Sequence, residues 1–119
     1  MKRVLIIDDS PFIAKEIGDI IESNGYEVVG HAKNGESGIE MTEQLNPDVI
    51  TLDIIMPGID GIETAKELLT RNPNRKIIML SSLCDYDTQD EIEELGLKYL
   101  VAKPIEADKL LAALNEITA

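Results

Sequence analysis

The sequence predicts an α/β fold, a doubly wound five-stranded parallel sheet with helices on both faces. Apolar runs of strand length recur along the chain, at VLII, EVVGH, VITL, IIML and YLVA, and segments with helical spacing of apolar residues separate them and follow the last. Strands that alternate with helices in this way build parallel pairs joined by helical crossovers. VLII, VITL and IIML are also continuous rather than alternating, as in strands covered on both faces.

The first strand spans 3–8, where VLII runs into Asp8. The first helix covers 11–23. Ile13, Ile17, Ile20 and Ile21 fall on one of its faces, and Asp9 ahead of Ser10 and Pro11 suits a cap followed by a first-turn proline. Asn24-Gly25 marks a turn into the second strand, 27–31, and Asn34-Gly35 marks a turn into the second helix, 35–45. The third strand, 48–52, delivers Asp53. Asp60 with Glu63 three positions on resembles a capping box for the third helix, 61–71. The fourth strand, 76–81, ends at Ser81 and leads to a fourth helix over 85–94. The fifth strand, 99–102, stops before Lys103, and Leu110, Leu111, Leu114 and Ile117 line one face of a last helix over 106–117.

Composition orders the strands. The three continuous runs belong inside the sheet, whereas YEVVGHA and KYLVA, broken by charge or glycine, belong at its edges. With right-handed crossovers this favours the order 2-1-3-4-5, the flavodoxin-like arrangement. The order reverses between the first and third strands, and ligands of such sheets bind beyond the strands' carboxyl ends at that point. Asp8, Asp9 and Asp53 should share that crevice, with Ser81 and Lys103 at the ends of the neighbouring strands.

Bulk properties narrow the function. At 119 residues, without repeats or a linker, the chain is expected to form one domain, 1–119. Its 11 basic and 23 acidic residues, a net charge of -12, disfavour nucleic acid and anionic lipid and favour cations or a basic partner surface. No apolar run approaches the roughly 20 residues of a membrane span, and MKRVLIIDDS turns acidic before any signal-peptide core develops, so a cytosolic protein is expected. Cys84, the single cysteine, makes no internal disulfide or metal pattern and reads as a small residue near a helix start. His31 reads as a surface or strand-end residue.

Three carboxylates in one crevice repel one another unless a cation sits among them. Mg²⁺ takes oxygen ligands, keeps several waters and needs only one or two protein carboxylates beside a phosphate oxygen. Asp8 and Asp9 fit the metal side, with Asp9 as the direct ligand. Asp53 suits either ligand or nucleophile, since a carboxylate accepts a phosphoryl group once positive charge neutralises the transferring oxygens. Lys103 supplies such a charge on a long stem, and the Ser81 hydroxyl can donate to a phosphoryl oxygen. Each residue also has a plainer reading: Asp9 or Ser81 as a helix cap, Asp53 as an Asx turn before Met56-Pro57-Gly58, Lys103 as a solvated lysine. Taken singly these readings are at least as good. Coincidence at four strand ends on one side of one sheet favours the site.

The pieces LIIDDS, LDIIMPGIDG, IIMLSS and VAKP resemble those of two-component response-regulator receiver domains, over essentially residues 2–117. The resemblance implies that Asp53 accepts a phosphoryl group from a histidine kinase. It implies that Asp8, Asp9, Asp53 and the backbone carbonyl of Ile55 hold Mg²⁺, that Ser81 and Lys103 contact the phosphoryl group, and that the Lys103-Pro104 bond is cis. It further implies a monomeric signalling switch rather than an enzyme. Without an appended module, the chain resembles the stand-alone chemotaxis regulators that dock on a flagellar motor or a kinase. Many relatives of this kind carry an aromatic residue three positions before the lysine. Here that position is Leu100, and Tyr99 beside it faces the opposite side of a strand.

Two expectations concern regulation. The fourth helix holds Asp85, Asp87, Asp90, Glu91, Glu93 and Glu94 but few apolar residues beyond Ile92 and Leu95, so a weakly held helix that shifts on phosphorylation is expected, with helix four, strand five and helix five as the partner face. Ile55 and Leu83, each two positions beyond a site residue, are expected to shield the phosphoryl group from water. A haloacid-dehalogenase-like phosphatase is the rival enzyme reading, but its second Asp two positions after the nucleophile is Ile55 here, or Ser10 if counted from Asp8. A flavin-binding relative would find one Phe, three Tyr and no Trp for stacking, with Asp8 and Asp9 repelling the flavin phosphate.

Overall fold

The computed structural model describes residues 1–82 and 85–119. Expectations placed on Leu83 and Cys84 fall outside them. Ten elements alternate: β1 Lys2–Ile7, α1 Pro11–Glu22, β2 Tyr26–Ala32, α2 Gly35–Leu45, β3 Val49–Asp53, α3 Gly61–Arg71, β4 Ile77–Ser81, α4 Tyr86–Glu94, β5 Tyr99–Ala102 and α5 Ala107–Ile117. The five strands form one sheet in the order β2-β1-β3-β4-β5, and every pairing is parallel. This is the predicted doubly wound, flavodoxin-like arrangement. The polar-interrupted strands lie at its edges.

Two apolar layers sandwich the sheet. Val4, Ile6, Val49, Ile78 and Leu80 point toward α1 and α5, where Ile17, Ile21, Leu110 and Leu114 receive them. Leu5, Ile7, Ile50, Leu52, Ile77 and Met79 point the other way, toward α2, α3 and α4. The period of two within each strand sends successive residues to opposite layers, so the buried positions of the interior strands are apolar apart from Thr51 and the strand-end residues Asp53 and Ser81. Ile17 and Ile21, one helical turn apart, are both fully buried, and each contributes roughly 1.5–3 kcal/mol relative to exposure.

Caps decide the helix starts. Ser10 closes the first turn of α1 by accepting from the Ile13 N–H at 3.3 Å, with Pro11 next in the chain, so the cap is Ser10 rather than Asp9. Asn34 is an N-cap as well, accepting from Ser37 N–H at 2.8 Å, where the sequence suggested only a turn. Asp60 accepts from Glu63 N–H at 2.9 Å and starts α3. Gly25, at φ +87, makes the turn into β2 that a β-carbon would strain.

The fourth helix is anchored thinly. Ile92 is the one buried residue of α4, whereas α1 buries three, Ala14, Ile17 and Ile21. Among the described residues, no helix is long and apolar enough to cross a membrane.

Candidate carboxylate and metal site

The site forms where β1, β3, β4 and β5 end on one edge of the sheet. Asp8 follows β1 directly. Its N–H donates to the Ala32 carbonyl at 3.0 Å, continuing the ladder to β2, and its Oδ1 accepts the Ser10 N–H at 2.9 Å, which turns the chain into α1. The Asp8 carbonyl accepts from His31 Nε2 at 2.8 Å. A carbonyl only accepts, so that ring nitrogen carries a proton. These bonds leave Asp8 buried and hold Asp9 exposed at the rim.

Asp53 is the last residue of β3, one position inside the strand rather than just beyond it, because its backbone stays in register with Leu80 of β4. The chain then folds back: Ile54 N–H donates to the Leu80 carbonyl at 3.1 Å, and Gly61 N–H donates to the Ile54 carbonyl at 2.7 Å. This return brings the first residue of α3 against the Asp53–Ile54 backbone. A β-carbon at position 61 would overlap the Asp53 carbonyl oxygen, so only glycine allows the approach. Ile55 N–H donates to the Asp53 carboxylate, while its side chain stands 55% exposed.

Lys103 enters from the opposite side. Its N–H donates to the Ser81 carbonyl at 2.9 Å, and the peptide bond to Pro104 is cis. Its ammonium lies 3.1 Å from Asp8 Oδ2 and 3.2 Å from Asp53 Oδ1. Ser81 is buried at the end of β4, one residue beyond the partner of Asp53. All five residues singled out from the sequence thus reach one sheet edge. The contacts join Lys103 to Asp8 and Asp53 directly, and oxygens of Asp8, Asp9 and Asp53 lie within 4.8 Å of one another.

Burial pushes the Asp53 carboxyl above its ordinary range, and the Asp8 charge adds to the push. The Lys103 ammonium and the Ile55 N–H pull back without reversing it. Three carboxylates against one ammonium leave the cluster short of positive charge. An all-oxygen donor set with that deficit fits a hard divalent cation such as Mg²⁺.

His31, Glu36 and Gly61 escaped the sequence reading. His31 and Glu36 bond to backbone atoms 23 positions away, a relation no local pattern records. Gly61 left a faint signal, a glycine directly after the Asp60 cap, where a helix start has no need of one.

Comparison with known proteins agrees with this geometry. The family model for the response regulator receiver domain matches residues 4–115. The chemotaxis protein CheY of Thermotoga maritima is 39% identical over 117 residues, covering 98% of each chain, and that of Bacillus subtilis is 38% identical over 114 residues, covering 96% of this chain and 95% of its own. Among solved structures, the CheX-CheY-BeF3-Mg complex of Borrelia burgdorferi superimposes with a TM-score of 0.94 at 30% identity, covering 99% of this chain and 90% of that one. Fold, strand-end carboxylates and relatives agree, and the chain belongs to the response regulator receiver domain family.

Proposed function

We propose that this chain is a single receiver unit that works as a phospho-acceptor switch, with Asp53 taking a phosphoryl group from the phosphohistidine of a kinase and Asp8 and Asp9 holding Mg²⁺. The observation that carries the reading is the Lys103 ammonium lodged between the carboxylates of Asp8 and Asp53, at 3.1 and 3.2 Å. An oxygen of Asp53 attacks phosphorus, its bond to the donor nitrogen breaks, and the imidazole keeps the electron pair. Lys103 lies where it offsets charge on the phosphoryl oxygens, and Ser81 donates its hydroxyl to one of them. Mg²⁺, held by Asp8, Asp9, Asp53 and the Ile55 carbonyl, would supply the remaining positive charge.

The output face is assigned to α4, β5 and α5. A groove of about 590 Å³ lies there, with Ile92, Leu97, Leu100 and Ala113 among its walls. Tyr99 packs toward the α1 and α5 layer, and its hydroxyl bonds Glu116, whereas Leu100 packs toward the α4 layer. An inward-turning aromatic is therefore not the device in this chain. A shift of α4, pivoting on its single buried residue Ile92, takes its place. The partner bound there is a downstream protein, which the relatives suggest belongs to a chemotaxis pathway in the cytoplasm.

Incubation with acetyl phosphate and Mg²⁺, followed by intact mass, tests the reading. One phosphoryl group should be gained, and none by Asp53→Asn or after chelation. Equal gain by Asp53→Asn would overturn it.

A further inference from the structure

We propose that residues 31–36, from the end of β2 into the first turn of α2, form a brace that positions the cation site from the side, through His31 and Glu36. The inference rests on the reading above and adds two residues outside the carboxylate cluster. His31 donates from Nε2 to the Asp8 carbonyl at 2.8 Å, gripping the turn that presents Asp8 and Asp9. Glu36 Oε1 accepts the Ile59 N–H at 3.2 Å, gripping the loop that runs from Asp53 through Ile55 to α3. One short segment therefore touches both loops that supply the proposed metal ligands.

The segment is itself fixed. Asn34 caps α2 through Ser37 N–H, which sets Glu36 in the first turn. Gly35 packs against Ile59 and Thr64 so closely that a β-carbon there would overlap both. Gly58, at φ +80, turns the loop beside the Glu36 carboxylate, and its own missing β-carbon would lie 3.1 Å from Glu36 Oε1. Hydrogen bonds at Ile54, Ile55 and Gly61 hold the loop near its two ends and by themselves would leave residues 57–60 free to drift. A contact at Ile59 removes that freedom. Cation sites depend on such supporting hydrogen bonds because the ligands must be held before the ion arrives.

Mg²⁺ affinity, measured by titration calorimetry on the whole chain, tests the brace separately from the phosphoryl chemistry. Glu36→Ala and His31→Ala should each weaken binding about threefold to tenfold, the range of one hydrogen bond of ordinary net strength. Glu36→Gln and His31→Gln keep an acceptor and a donor at similar reach and should restore most of the affinity. Glu36 is exposed, so Glu36→Ala decides the question even where His31→Ala costs stability. Unchanged affinity in the alanine variants would overturn the brace alone. Equal loss in the glutamine variants would also overturn it, since charge or packing would then be the cause. Failure of the unsubstituted chain to bind Mg²⁺ would overturn the proposed function as well.

Discussion

Asp53→Asn should make the metal-free protein more stable, and the structure sets the scale. Asp53 and Asp8 present oxygens no more than 4.8 Å apart, which at an effective dielectric of about 20 is a repulsion of at least about 3.5 kcal/mol. Lys103 at 3.2 Å returns an attraction of about 5 kcal/mol on the same scale. Exposed Asp9 adds a screened repulsion, so the Coulombic terms nearly offset one another. Burial of a charge that is only 5% exposed then decides the sign. Removing that charge while keeping the shape should stabilise by about 1 kcal/mol at pH 7, raising Tm by about 4 °C, as for other functional sites that carry strain.

The pH dependence follows from the raised carboxyl. Protonated Asp53 is favoured by the folded state, so its contribution is fully present below the unfolded value, near 3.8, and is lost as pH rises through the folded one. The advantage of Asp53→Asn should therefore be smallest in acid and reach its plateau toward neutrality. Thermal unfolding of both proteins in chelator, across that range, is the assay. A variant less stable than the parent at pH 7, or an advantage that grows on acidification, would refute the electrostatic reasoning.

Thr51 Oγ1 is fully buried and, among the described residues, is a side-chain oxygen without a hydrogen-bond partner; Thr51→Val should stabilise by about 1 kcal/mol in urea unfolding, and destabilisation would contradict the assignment. Ile55 stands exposed beside the Asp53 carboxylate, and if it shields a phosphoryl group, Ile55→Asn should speed phosphate loss severalfold in a radiolabel chase, whereas an unchanged rate removes the shielding role. Amides of α4 should exchange faster than those of α1, because α4 buries Ile92 alone while α1 buries Ala14, Ile17 and Ile21; equal protection would argue against a mobile output helix.

The fold was legible because its driving pattern is local. VLII, VITL and IIML announce strands covered on both faces, and the broken runs at YEVVGHA and KYLVA announce edges. The strand-end residues were legible for the same reason, since parallel strands bring their carboxyl ends together whatever lies between. Boundaries moved by a residue where tertiary pairing overrode the apolar pattern. Lys2 joins β1 by pairing with Tyr26, and Asp53 joins β3 by pairing with Leu80. Asn34-Gly35 looked like a turn because the side-chain oxygen that caps a helix also favours turns. The grips of His31 and Glu36 on distant backbone atoms, and the close approach at Gly61, became visible only once the loops were placed in space.

The central claim, that separate strand ends make one phospho-acceptor centred on Asp53, is tested most directly by mapping the phosphoryl group. After loading with acetyl phosphate and Mg²⁺, borohydride reduces an acyl phosphate to an alcohol at the residue that carried it, and peptide mass spectrometry locates the change. Reduction at Asp53 alone is the predicted result. Reduction at Asp8 or Asp9, or label retained on a residue that borohydride leaves untouched, would contradict it.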